Sequence, residues 1–211
     1  MKHIALAAAS ALAVAFSAAS ASAAPIILYN TGVDNNGALL ADGATDTHYS
    51  TSSRVAGGPY VFTDPNGNYV TPSDAKAISI QPGGAYTQSV NTYSISFTLT
   101  DISNAMVSGL FAADDSGVVS LNGIQGASTG NPGYRSLTRF TFTSGFVLGL
   151  NTLNFTVTDT GGQPSGVLVS GLTGSAGAVP EPATWGLMLA GFGMIGVGLR
   201  SRRRSTAVTF A

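Results

Sequence analysis

Apolar residues recur at every second position through the middle of the chain. Thr92 to Thr100 reads Thr-Tyr-Ser-Ile-Ser-Phe-Thr-Leu-Thr, so Tyr93, Ile95, Phe97 and Leu99 share one side and only Ser and Thr take the other. A period of two belongs to a strand buried on one face. Leu153, Phe155 and Val157 repeat it, with Asn154, Thr156 and Thr158 outward, and Phe140 and Phe142 alternate with Arg139, Thr141 and Thr143. Shorter strands are predicted at Ile26–Tyr29, Tyr60–Thr63, Lys76–Ile80, Ala105–Ala112, Val118–Leu121 and Gly166–Leu172. Turn residues punctuate them at Asp64-Pro65-Asn66-Gly67, Pro82-Gly83-Gly84, Asp114-Asp115-Ser116-Gly117, Asn122-Gly123 and Gly161-Gly162. About eight or nine short strands without an amphipathic helix predict an all-β body, a single antiparallel β-sandwich of jelly-roll-like type over 24–171. Asn30 to Gly58 is polar and unpatterned and reads as a long loop or irregular edge.

The two ends break the pattern. Lys2 and His3 precede an apolar, Ala-rich run from Ile4 to Ala19, and Ala21-Ser22-Ala23 is a small-x-small cleavage site. Residues 1–23 therefore read as a secretory signal helix, cut by signal peptidase after Ala23 to leave Ala24 first. At the other end Ala183–Leu199 is uncharged and is followed by Arg200, Arg202, Arg203 and Arg204. An apolar run flanked by a tight Arg cluster predicts one transmembrane helix at 183–199, with the arginines on the cytoplasmic side and the body outside. Residues 205–211 form a short cytoplasmic tail. Residues 172–178, rich in Gly, Ser and Ala, read as a flexible linker.

Charge and composition narrow the function classes. Only 9% of the 211 residues are charged and there is no Cys, which removes a disulfide scaffold, a thiolate metal site and a thiol nucleophile. Between the two ends Arg54, Lys76, Arg135 and Arg139 stand against nine Asp and no Glu, a net charge of −5. Nucleic acid is excluded as a partner, because phosphate binding needs a concentrated positive face.

Val179-Pro180-Glu181-Pro182-Ala183-Thr184-Trp185-Gly186 directly precedes the apolar run. Two prolines around one Glu make a stiff, extended segment, since each Pro blocks helix and removes a donor. Motif, apolar helix and Arg cluster, in that order, closely resemble the PEP-CTERM sorting signal in its Pro-Glu-Pro-x-x-Trp-Ala form, over 179–204. Gly186 replaces the usual Ala, and seven residues follow the Arg cluster where such tails commonly stop. The resemblance implies recognition of Pro180, Glu181, Pro182 and Trp185 by an exosortase, a membrane cysteine protease or transpeptidase. It further implies retention at the inner membrane by Arg200, Arg202, Arg203 and Arg204 until processing. The product is then expected at the cell surface or outside, among exopolysaccharide.

A second resemblance covers the later half of the body. Ala112 to Gly123, then Phe140-Thr141-Phe142, Phe146 and Gly149-Leu150-Asn151-Thr152-Leu153, look like the galactose-binding-like sandwiches of secreted proteins, which makes carbohydrate a candidate ligand. Catalytic groups are scarce, so the expectation is a non-enzymatic surface or matrix protein. The rival is a secreted hydrolase built on His48, the one body histidine, with distant aspartates. A pair Asp114 and Asp115 for glycoside hydrolysis is weighed against an ordinary turn. No cofactor is expected beyond structural calcium. Asp64-Pro65-Asn66-Gly67-Asn68 opens like an EF-hand loop, but Tyr69 holds its glycine position and Ala75 its bidentate Glu position. Asp42 with Asp46, or Asp34 with Asn35 and Asn36, are the other oxygen clusters, making Asp42, Asp46 and Asp64 the candidate ligands. Outward threonines at Thr98/Thr100, Thr141/Thr143 and Thr156/Thr158 suit an ordinary solvent face or, less ordinarily, ice. Tyr29, Tyr49, Tyr60, Tyr69, Tyr86 and Trp185 are the aromatics to examine for sugar stacking.

Overall fold

The computed structural model describes residues 23–52, 58–84, 89–162, 164–177 and 184–203. The chain divides into a body, Ala23–Ala178, and a second unit holding the C-terminal segment from Val179. The expected signal peptide, Met1 to Ser22, lies outside the described residues.

The body is mostly β, in two antiparallel sheets. Its strands are β1 (Ala24–Pro25), β2 (Ser50–Thr51), β3 (Tyr60–Phe62), β4 (Ala77–Ser79), β5 (Ser89–Leu99), β6 (Met106–Ala113), β7 (Ser116–Leu121), β8 (Ile124–Ser128), β9 (Thr138–Phe142), β10 (Gly149–Asp159) and β11 (Val167–Ala176). One sheet runs β3-β4-β11-β6-β9, with β1 added against the end of β11, and the other runs β2-β5-β10-β7-β8. β5 and β10 pair along their whole length, Leu99 opposite Gly149 through Ser89 opposite Asp159. That register follows from the alternation. A slip of one residue would turn Phe155 and Val157 to water and Thr156 and Thr158 into the core.

The core lies between the sheets. Phe111, Phe140 and Phe155 form an aromatic triangle with centroids 5.7 to 5.9 Å apart, ringed by Tyr93, Val107, Val119, Leu121, Leu153 and Val169, all buried. Asn122 and Gly123 both adopt positive φ, 51° and 85°, which makes the two-residue primed turn that lets β7 fold directly back as β8. The segment after β3 packs on the outer side of its own sheet and buries Tyr69 and Ala75 with Phe62, Ala112 and Leu168. Gly166 has no Cβ because Ile78 carbonyl and the Phe62 ring occupy that space. The five-stranded sheet, by contrast, keeps a hydroxyl-rich outer side: Thr92 pairs with Thr156 at 3.0 Å, Ser94 donates to Asn154 at 2.7 Å, and Ser96 pairs with Thr152 at 3.0 Å.

Two expectations need correction, and one strand was not foreseen. Ile26–Tyr29 is not a strand; only Ala24 and Pro25 pair, with Ala176 and Ser175, while Ile26 and Leu28 pack sideways against the core. The linker expected at 172–178 is strand as far as Ala176, with Leu172 and Ala176 buried. Its small residues serve packing, since Gly174 leaves room for Ile26 and Leu28. β8 escaped the pattern because its residues are nearly all exposed and do not alternate.

In the second unit α1 (Thr184–Arg203) forms where the apolar run predicts it. Leu189, Phe192, Met194, Ile195, Val197 and Leu199 are all exposed on it. Five glycines, Gly186, Gly191, Gly193, Gly196 and Gly198, dilute its apolar character. α1 covers Thr184–Leu199 of the stretch where a transmembrane helix is expected, and among the described residues no helix is long and apolar enough to cross a membrane.

Candidate functional site

Two places concentrate features that folding alone does not demand. The first is the tail. Pro180, Glu181, Pro182 and Arg204 lie outside the described residues, while Trp185, Arg200, Arg202 and Arg203 belong to α1. At the N-terminal end, Ala23 and Ala24 are described, and Ala24 is exposed at the start of β1. The bond between them thus sits at the edge of the folded body.

The second is an acidic cavity of about 100 Å³, lined by Asp64, Asn68, Tyr69, Asp114, Asp115, Tyr134, Gly161, Gly162 and Pro164. Asp114 and Asp115 carry the chain from β6 in one sheet to β7 in the other, as their amides donate to Gly166 and Thr158 carbonyls at 3.1 and 3.0 Å. Asp64 organises its own turn: one oxygen accepts from Asn66 N–H at 2.9 Å, the other from Asn68 and Tyr69 N–H at 2.7 and 3.3 Å. Asp115 accepts from both the backbone N–H and the hydroxyl of Thr160. These bonds hold its carboxyl below the usual carboxylate range. Tyr69 stacks on Tyr134 with centroids 5.5 Å apart, and its hydroxyl donates to Gly166 carbonyl at 3.0 Å. Burial pushes that phenol well above its ordinary value.

Asp114 differs from its neighbours. Burial, its hydrogen bond with Asp115 and the charges of Asp115, Asp159 and Asp64 push it up to about 7. In the unfolded chain it would ionise near 3.8, so between about pH 4 and 7 the folded protein holds a proton that the unfolded chain has lost. Stability from this group is complete below pH 4 and lost as pH rises through 7. Asp114 is partly open to water, so screening reduces the effect to about 1–2 kcal/mol. Asp114→Asn is expected to raise Tm at pH 8 and leave it nearly unchanged at pH 5, as thermal melts at the two pH values would show.

The other predicted residues serve structure. Asp46 is fully buried; it accepts from Gly32 N–H at 2.7 Å and His48 N–H at 2.9 Å, and burial raises its carboxyl. His48 stacks on Tyr29 at 3.7 Å, places Nδ1 3.3 Å from Asp46 and Nε2 2.9 Å from Asn35 Oδ1. Asp42 binds Lys76 Nζ at 2.8 Å and Thr63 hydroxyl at 3.1 Å, and Asp34 caps its own loop through Asn36 and Ala38 N–H. Asp42, Asp46 and Asp64 do not converge, and among the described residues no three His, Cys, Asp or Glu are placed to hold a metal ion. Tyr49 and Tyr69 are core residues, and Tyr86 lies outside the described residues. The Leu121-Asn122-Gly123 and Gly149-to-Leu153 motifs meet at Asn151, which is fully buried. It accepts from Asn122 Nδ2 and Val147 N–H and donates to Val147 and Gly149 carbonyls, all within 3.0 Å.

Sequence reasoning marked Asp64 and the Asp114-Asp115 pair one at a time but did not bring them together. Nothing local joins three turns so far apart in the chain. Tyr134 and Asp159 carried no signal beyond being an aromatic in a loop and a polar residue ending a strand.

Residues 178–204 match the PEP-CTERM protein-sorting motif, so the chain carries that sorting signal. The motif implies an exported protein sorted by an exosortase. No curated protein matches the chain. Among solved structures it is similar to the family 35 carbohydrate-binding module from Cellvibrio japonicus Abf62, at 15% identity and TM-score 0.32, over 62% of this chain and 98% of that one. It is also similar to a family 35 carbohydrate-binding module from an environmental isolate, at 12% identity and TM-score 0.29, over 76% of this chain and 97% of that one. Likeness at that level carries no ligand or mechanism to this chain.

Proposed function

We propose that the chain is a non-catalytic component of the cell surface or extracellular matrix. It is cut by signal peptidase after Ala23, held briefly at the inner membrane, and then processed by an exosortase. Its sandwich then associates with exopolysaccharide. The observation that carries this reading is the sorting motif over 178–204. The arginines at Arg200, Arg202, Arg203 and Arg204 resist translocation, each costing about 2.5–3.5 kcal/mol at a bilayer centre. A stalled tail would leave the Pro-Glu-Pro segment at the outer face of the inner membrane.

A non-catalytic body is supported by the occupancy of His48. Its Nε2 is hydrogen-bonded to Asn35 Oδ1, Nδ1 is buried 3.3 Å from Asp46 without a hydrogen bond, the ring is stacked on Tyr29, and the adjacent acid is committed to two backbone amides. No seryl hydroxyl is bonded to it among the described residues. Polysaccharide association is supported by the Ser, Thr and Asn outer side of the five-stranded sheet, which can exchange hydrogen bonds with sugar hydroxyls. The purified chain is expected to retain glycans on an array without releasing reducing ends, with His48→Ala unchanged in both respects. Hydrolysis that disappears in His48→Ala would establish the hydrolase instead.

A further inference from the structure

Exposed apolar side chains are not spread evenly over the sandwich. Among the described residues nine large ones of the body are exposed, and six of them, Ile102, Met106, Ile124, Val147, Leu148 and Leu150, sit at one end. The registers fix that end. Leu99, closing β5, stands opposite Gly149, opening β10, and Met106, opening β6, stands opposite Ser175 near the end of β11. Ile124 opens β8, and Asn122 in the turn before it donates to Gly145 carbonyl at 2.9 Å. The chain also leaves the body here: Gly177 N–H donates to Ser103 carbonyl at 2.8 Å, one residue from Ile102. Asp114, Asp115 and Asp159 lie at the other end, where β6 and β10 stop and β7 starts.

The display is held from within. Buried Asn151 accepts from Val147 N–H at 2.9 Å and donates to the Val147 and Gly149 carbonyls at 2.8 and 3.0 Å. The backbone on both sides of Leu148 is thus pinned while Val147 and Leu148 remain 47% and 66% exposed. Asp101 fixes the neighbouring loop, accepting from Ser103 N–H at 2.8 Å, and Ala105 N–H donates to Ile102 carbonyl at 3.2 Å. Apolar side chains gathered in water on pinned loops mark a surface that meets an apolar partner. Across residues 100–105, 122–123 and 143–148, Asp101 is the one ionisable group.

We infer that this end of the sandwich docks on the lipid bilayer, dipping Ile102, Val147 and Leu148 into its interface while the tail is uncut. The inference rests on the membrane-held stage proposed above and adds the surface that meets the membrane. Lipid is the occupant because of where the chain leaves. Residues 178–183 alone separate Gly177 from α1, which carries the apolar run and arginines of the sorting motif. Six residues reach at most about 20 Å, so the tether keeps the apolar end close to whatever holds the tail. The acidic end lies a strand length further, about 35 Å for the 11 residues of β10. Attachment through a few apolar side chains without a basic rim is weak and reversible, so cutting the tail releases the body.

The chain has no Cys, so single cysteines can carry a spin label. Ile102→Cys and Leu148→Cys label the apolar end, and Val90→Cys, beside the Ser89–Asp159 pair, labels the other; all three positions are exposed. The labelled full chains are reconstituted in vesicles of phosphatidylcholine and phosphatidylethanolamine, and the access of oxygen and of a water-soluble nickel chelate to each label is measured. Ile102→Cys and Leu148→Cys are expected to favour oxygen and Val90→Cys the chelate, with no change on adding salt, because no cation takes part. Adding Val147→Ser and Leu148→Ser should lower the docked-to-undocked ratio read at Ile102→Cys by at least about tenfold without changing Tm, since burying two apolar side chains contributes more than one factor of ten. Equal access of the chelate to all three labels, in a chain that stays on the vesicles, would overturn the docking and leave the membrane-held stage standing. A chain that does not stay on the vesicles would overturn both. Shielding of Ile102→Cys and Leu148→Cys without vesicles, growing with protein concentration, would make a second copy the occupant. Shielding that requires exopolysaccharide from the producing cell would make it a glycan, and either result overturns the inference.

Discussion

Replacing Asn151 with alanine is expected to destabilise the sandwich by about 3 kcal/mol, lowering Tm by roughly 6–12 °C for a body of this size. Asn151 lies on the inward side of β10, fully buried beside Leu153 and Phe155. Its amide closes four hydrogen bonds, two through each end, tying the loop at Val147 and Gly149 to Asn122 beside the β7–β8 turn. Alanine removes all four and leaves a buried gap. Each stranded polar group costs about 1–3 kcal/mol where water cannot reach it; exposed Val147 and Leu148 let water rescue part of that loss. Asn151→Asp is the sharper variant. It keeps the shape and the two acceptor contacts but turns both donations into carboxylate–carbonyl repulsion, so its penalty should grow as pH rises from 4 to 7. Thr152→Ala, one residue away on the outer side, loses only a solvent-side hydroxyl pair with Ser96 and should fall within about 0.5 kcal/mol of the parent. Denaturant melts of the three variants would decide. Equal effects at Asn151 and Thr152 would contradict the inward placement of Asn151.

The second large effect is expected in the tail. Changing Pro180, Glu181 and Pro182 together to alanine should stop C-terminal processing, leaving the body's fold intact. Proline disfavours helix and favours extended backbone at and before its own position. Alanine, the best helix former, would let α1 extend backward from Thr184 toward Val179, so a protease that reads extended backbone loses its substrate. The segment's one Glu, which is also the only Glu in the chain, is lost as well. Glu181→Gln separates charge from shape: a full block there assigns recognition to the carboxylate, and normal processing assigns it to the prolines.

The alternation of β5, β9 and β10 could be read directly, because strands buried on one side against a shared core must alternate. Where packing is not one-sided the pattern fails. β8 has almost no buried side to reveal. β11 has small residues where neighbours press in, and its Gly-Ser-Ala end looked like a tether for that reason. Asn151 fell in line with inward Leu153 and Phe155, and that was the one local sign of its buried role. The acidic cavity left no such sign. Asp64 and Asp114 come from separate turns and Asp159 from the end of β10, and only the crossing from β6 to β7 and the return after β10 bring their charges together. The tail is the opposite case: its order of Pro-Glu-Pro, apolar helix and arginines is contiguous, and residues 178–204 match as one motif.

The most direct measurement is the intact mass of the protein recovered from the producing cell's surface and medium. The account predicts a chain that begins at Ala24 and ends near Pro180 to Pro182, without the arginines. A single species at the full-length mass, found in the cytoplasm with Met1 and Ala211 both present, would contradict it.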